Sequence, residues 1–311
     1  MFEYYYDKPA NVLYVTLPAE LRFGVAFLNE MTELISRISD DDCREVRVSC
    51  LAGAKYDNMS KAYILSVLCS FLSSKSVWWS KDLENMIDPK VHVRDGSRFN
   101  EVDMVQVCAN DELDYYIFRD DETVSKPVNE MTRLLVEKNV TLNTDQIKEF
   151  LATTIGEIFS NCFLHSNEDE AFFMFDVKLE KKNFYLCVNI TDYGTPLVNN
   201  VRSFFENNNE NIDSIAAFEW AMREGTTTRA GSGGYGLATL TDYISHARGE
   251  LYIFSGDAYY SFVNAKAEVQ YSKGIFLGTS VTFRVKLYET SQIMTYDSAE
   301  NKLETISLDN I

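Results

Sequence analysis

The chain is short of several things, and each shortage excludes a class of function. Only three histidines (His92, His165 and His246) occur in 311 residues, and no two of the six cysteines form a Cys-x-x-Cys pair. A structural zinc site needs several such ligands close together, so this set argues against one. Lysine and arginine number 29 against 47 acidic residues, a formal net charge of −18. Binding nucleic acid or an anionic membrane through charge requires a basic surface that releases phosphate counterions, and the deficit speaks against both. No apolar run approaches the roughly 20 residues of a membrane span, and no charged-then-apolar leader opens the sequence. Cys43, Cys50, Cys69, Cys108, Cys162 and Cys187 are scattered, mostly in apolar segments, as free thiols in a reducing compartment would be. The expectation is a cytoplasmic protein. With 46% hydrophobic and 13% aromatic residues, the chain can still build a sizeable core.

What the chain does contain is a polar stripe followed by two glycine-bearing segments. Leu151 to His165 carries apolar Leu151, Ile155, Ile158, Phe159, Cys162 and Phe163 at helical spacing, leaving Glu157, Asn161 and His165 four residues apart on one face. A carboxylate one turn from a carboxamide can accept a proton from water and ligate a hard cation. The strand-like run Phe184–Ile190 leads into Thr191-Asp192-Tyr193-Gly194-Thr195-Pro196. There a carboxylate stands beside backbone that a flat ligand can approach. Farther on come Glu224-Gly225-Thr226-Thr227-Thr228-Arg229 and Gly231-Ser232-Gly233-Gly234-Tyr235-Gly236-Leu237. Four glycines within six residues, opening a helix over 237–246, present free N–H groups and a positive helix end to an anion.

In this order the segments resemble the GHKL (histidine-kinase-like) superfamily of ATP-binding domains, over roughly residues 125–290. The resemblance implies an α/β (α+β) sandwich, a mixed sheet with helices on one face. It implies ATP and Mg2+ as ligands, Glu157 as general base and Asn161 as the magnesium ligand. Asp192 would accept the adenine amino group, with Gly194 beside the ring. Gly231, Gly233, Gly234, Tyr235, Gly236 and Leu237 would cradle the phosphates. Thr227 and Arg229 would end a mobile lid, and the strand 278–287 with Thr279 would close the sheet. His165 would lie near phosphate or simply cap its helix. Pro196 departs from the family's Asp-x-Gly-x-Gly pattern; lacking an N–H, it demands a differently built turn.

The rest of the chain divides as 1–122, a smaller α/β domain, 123–290, the ATP-binding domain, and 291–311, a polar peripheral tail. In the first, residues 11–17 and 45–51 read as strands, 21–38 and 59–72 as helices, and 102–108 and 113–118 as further strands, giving a mixed sheet covered by helices. Asn58 or Ser60 is the expected N-cap of the second helix. This domain resembles the STAS-like fold in one respect: Ser60 stands at a helix start where that family can carry a phosphoacceptor. Residues 212–224 read as a short helix, while Asn207-Asn208-Asn209 disfavours a fixed helix in the lid. No histidine sits in a setting suited to a histidine-kinase phosphoacceptor. The chain therefore reads as an ATPase or a serine-kinase-like phosphotransferase, or as an ATP-switched interaction module. Its protein partner would dock through the amino-terminal domain or the lid, and a homodimer is one arrangement the resemblance allows.

Overall fold

The computed structural model describes residues 1–39, 43–71, 75–83, 104–109, 113–118, 154–158, 161–162, 171–180, 183–228, 234–287, 292–297 and 302–307. The architecture is mixed α/β. Strands β1 (Glu3–Asp7), β2 (Val12–Leu17), β4 (Glu45–Cys50) and β6 (Ser76–Trp79) form a mixed sheet in the order β1-β2-β4-β6. The first pair is antiparallel and the other two are parallel. Parallel neighbours need long crossovers, and helices α1 (Val25–Ile38) and α2 (Asn58–Ser70) supply them. On α1, Phe27, Leu28, Met31, Leu34, Ile35 and Ile38 are buried at helical spacing. The helix starts later than the apolar pattern suggests because Glu20–Leu21 (β3) is taken into a short parallel pair with Lys55–Tyr56 (β5).

Neither Asn58 nor Ser60 caps α2. Asp57 does: one carboxylate oxygen accepts the Ser60 N–H at 2.8 Å and the other the Phe23 N–H at 2.6 Å. A carboxylate at this position satisfies an orphan donor and complements the helix dipole. Ser60 is fully buried, and among the described residues its hydroxyl has no hydrogen-bond partner.

The larger sheet has six strands in the order β11-β12-β10-β9-β8-β7. These are β7 (Met104–Ala109), β8 (Leu113–Phe118), β9 (Ala171–Glu180), β10 (Asn183–Asp192), β11 (Glu250–Val263) and β12 (Lys266–Leu287). Every pairing in it is antiparallel, where the resemblance implied a mixed sheet. Residues 104–109 and 113–118, grouped with the amino-terminal domain by sequence, extend this sheet through β8 beside β9. Gln292–Asp297 (β13) and Lys302–Ser307 (β14) pair antiparallel within the polar tail.

Strand alternation gives the sheet two working faces. Leu186, Val188 and Ile190 of β10 with Val281, Phe283 and Val285 of β12 point to one side. That side is covered by the helical residues 154–158 and 161–162, by α3 (Leu197–Asn207), α4 (Ser214–Ala221) and α5 (Gly236–His246). The asparagine run terminates α3 instead of preventing it, and Asn209 adopts a left-handed φ of 62°, which asparagine tolerates.

The opposite side is covered as well. Tyr252, Phe254, Tyr259 and Phe276 pack into one core with the inward faces of α1 and α2. Under α2 lies a buried polar network. Tyr63 donates to Ser280 Oγ at 3.1 Å, and Asn189 Nδ2 donates to Ser280 Oγ at 3.0 Å and to Thr282 Oγ1 at 2.8 Å. Thr191 bonds Asn189 Oδ1 at 2.9 Å. The two sheets thus enclose α1 and α2, and helices lie on both faces of the larger one. Among the described residues, no helix is long and apolar enough to cross a membrane.

Candidate functional site

A cavity of about 280 Å³ opens on the helical side of the large sheet, at the carboxyl end of β10. One in-register row, Ser255 on β11, Thr279 on β12 and Asp192 on β10, crosses the sheet at this end. Ile253 and Val281 form the apolar floor below it. Asp192 is buried, and its Oδ1 accepts the Gly194 N–H at 3.0 Å. The Cys162 thiol also hydrogen-bonds to Asp192. Burial first, and the Asp192 carboxylate second, push this thiol well above its ordinary range, so it stays protonated and donates. Asp192 lines the cavity, where its carboxylate is an acceptor-only group.

Pro196 builds the turn after Asp192 in its own way. It is the N-cap of α3, and its carbonyl accepts the N–H groups of Asn199 and Asn200 at 3.0 and 3.1 Å. The Leu197 N–H donates to Ser255 Oγ at 2.7 Å and to Thr279 Oγ1 at 3.1 Å. The start of α3 is therefore pinned to the sheet row that carries Asp192. The side wall is Trp220, which stacks on Phe204 with centroids 5.6 Å apart.

The other end of the cavity is polar. Glu157 and Asn161 are exposed along one helical face, over buried Ile155, Ile158 and Cys162. Opposite them α5 begins at Gly236, and its N-cap residue Tyr235 makes no side-chain cap hydrogen bond to the helix's first amides. A Cβ on Gly236 would lie 2.2 Å from Glu157 Oε2, so the carboxylate occupies the space a side chain would fill. Gly234 has φ +84° and would place a Cβ 1.8 Å from the Thr226 carbonyl oxygen. Only glycine fits this approach. The Gly225 N–H donates to the Gly234 carbonyl at 3.2 Å, closing Thr226–Thr228 against the glycine segment.

Glu157, Asn161, Asp192, Thr227, Gly234, Tyr235, Gly236, Leu237 and Thr279 all line this one cavity. Gly194 stands beside it, bonded to Asp192. His165, Arg229, Gly231 and Gly233 lie outside the described residues. Cys162, Trp220, Asn200 and Ser255 belong to the site without having been singled out in the sequence. Cys162 reads as one more apolar position of its helix. The signal for Ser255 is its register opposite Thr279, which appears only once the strands are paired. No protein-family model matches the chain, and no curated protein matches it in sequence.

Proposed function

We propose that the chain binds ATP with magnesium in this cavity and hydrolyses it or transfers its γ-phosphate in a regulatory role. One observation carries the reading. A buried carboxylate over an apolar floor lies in the same cavity as a Glu–Asn stripe and an uncapped, glycine-fronted helix start. Asp192 with Ile253 and Val281 suits a flat base bearing an amino group, and the start of α5 suits phosphate. Asn161 offers a carboxamide oxygen fit for magnesium, which would offset phosphate charge when bound. Glu157 would take the proton of an attacking water or hydroxyl; positioning and charge neutralisation supply most of the rest of phosphoryl transfer. Glutamate at this place favours a hydrolase or a serine-kinase-like activity, and the reading belongs in the cytoplasm.

The second reading, an ATP-switched interaction module with little turnover, is favoured by the bonds beneath the site. Tyr63 and Ser66 of α2 bond to Ser280 and Tyr193, the chain neighbours of Thr279 and Asp192, at 3.1 Å each. Occupancy of the cavity has a direct route to the amino-terminal unit, and so to a protein partner. The test is phosphate release with ATP and magnesium, alongside calorimetric binding of a non-hydrolysable analogue. The first reading expects release that Glu157→Gln abolishes while binding persists. Binding without release selects the switch. No binding refutes both.

A further inference from the structure

The turn that carries Asp192 is held from both faces of the sheet. Asp192 lines the cavity, while the next residue, Tyr193, packs into the core shared with α1 and α2 on the opposite face. We infer that α2 positions this turn, with Ser66 and Tyr193 as positioning residues, so that the amino-terminal unit sets how well the cavity tells an amino-bearing base from one without it. The inference deepens the nucleotide reading and rests on it.

The residues on either side of Asp192 are both tied to α2. On the far side the tie is direct. The Ser66 hydroxyl donates to the Tyr63 carbonyl oxygen at 2.8 Å, which commits its proton. The Tyr193 hydroxyl, 3.1 Å from Ser66 Oγ, is therefore the donor between them. The Tyr193 ring lies against Phe276, with centroids 5.8 Å apart and planes 30° from parallel. On the near side the tie runs through Thr191, which pairs with Ser280 as Asp192 pairs with Thr279. Thr191 Oγ1 lies 2.9 Å from Ser280 Oγ, the atom that accepts the Tyr63 hydroxyl at 3.1 Å. Tyr63 in turn meets the rings of Phe23 and Phe27 edge-on, each 5.8 Å away, so α1 and the loop before it hold α2 in place. Behind the turn there is no slack. Gly278, at φ +105°, abuts the Asp192 carbonyl, and a Cβ there would collide with it. A close-packed interior switches between arrangements instead of yielding smoothly, so a shift of α2 is passed to the turn. The contact that feels it is the hydrogen bond from the base to Asp192. Linkage makes the coupling reciprocal: whatever moves α2 changes nucleotide affinity by the factor by which nucleotide changes α2.

The test is calorimetric titration of the full chain, in magnesium, with non-hydrolysable analogues of adenosine and inosine triphosphate. The two bases differ at the amino group that Asp192 would read. Tyr193→Phe keeps the ring on Phe276 and removes only the hydroxyl, so it should fold, and its urea midpoint checks this. Tyr193→Phe and Ser66→Ala are each expected to reduce the adenosine-over-inosine preference about fivefold. The double variant should lose no more than the larger single one, because both remove the same bond. If Ser66→Ala lowers the urea midpoint sharply, Tyr193→Phe decides alone. A preference that survives Tyr193→Phe, equal weakening of both analogues, or additive losses in the double variant overturns the inference while the nucleotide reading stands. A parent chain that binds both analogues alike overturns it too. A parent chain that binds neither analogue refutes the nucleotide reading itself, and the inference falls with it.

Discussion

Replacing Gly236 by alanine should separate catalysis from folding at this site. The new Cβ would lie 2.2 Å from Glu157 Oε2 and 3.3 Å from both Cβ and Cδ of the same side chain. Ordinary contact is about 3.5–4.0 Å, so the carboxylate must retreat by more than ~1 Å. Glu157 is exposed, and rotation about its own bonds provides the way out. Alanine is favoured over glycine in a helix by roughly 0.5–1 kcal/mol, so the stability change should stay within about 1 kcal/mol of zero. A general base displaced by an ångström is another matter, costing on the order of 10²-fold in rate. The expected outcome is an unchanged urea midpoint, near-parental affinity for a non-hydrolysable ATP analogue, and turnover lowered about a hundredfold. Adding Glu157→Gln to Gly236→Ala should cost little more than Glu157→Gln alone, because both act through one carboxylate. Parental kcat in Gly236→Ala, or full additivity in the double variant, would refute the placement of Glu157 as the base.

Asp192→Asn should weaken binding of the ATP analogue by about 1–3 kcal/mol in calorimetry, since an amide mispairs with a base amino group in a buried site. In the folded protein the Cys162 thiol, pushed up by burial and then by Asp192, should resist iodoacetamide at pH 8 and react fully once urea unfolds the chain. Rapid alkylation of the native protein would contradict its place under Asp192. Glu30 of α1 pairs with Lys273 of β12. Burial alone would raise its carboxyl, but the Lys273 ammonium and the Phe2 N–H outweigh this and hold it below the usual carboxylate range. The pair therefore contributes fully above that range and is lost as pH falls through the lowered value. Urea midpoints measured from pH 7 downward should drop in the parent on acidification and drop less in Glu30→Gln.

The elements that carried strong local signals were legible in the sequence. Residues 113–118 are rich in aromatic and branched side chains and are set off by Asp/Asn-containing turn sequences, and they form β8 at those bounds. The helix opened by the glycine loop runs Gly236–His246, one residue earlier than its apolar pattern begins. The site's polar residues were legible because carboxylate, carboxamide and glycine cannot be exchanged for one another at their positions. What the sequence hid was long-range pairing. Nothing local in 104–118 says that these strands add to a sheet whose next member starts at Ala171. Nothing in the apolar surfaces of α1 and α2 says that they lie against a second sheet. Asp57 escaped notice as the cap of α2 because its second oxygen serves Phe23, 34 residues away. Asn189 and Thr191 are polar yet fully buried, in a network with Ser280 that Tyr63 completes, and nothing local in the strand marks that burial.

That shared interior ties α1 and α2 to one flank of the larger sheet. Cut away residues 1–83 and four large aromatic side chains, Tyr252, Phe254, Tyr259 and Phe276, would meet water across one flank of the remaining sheet. A fusion that borrowed only the larger sheet with its helical face would thus carry an exposed apolar wall, a surface prone to association.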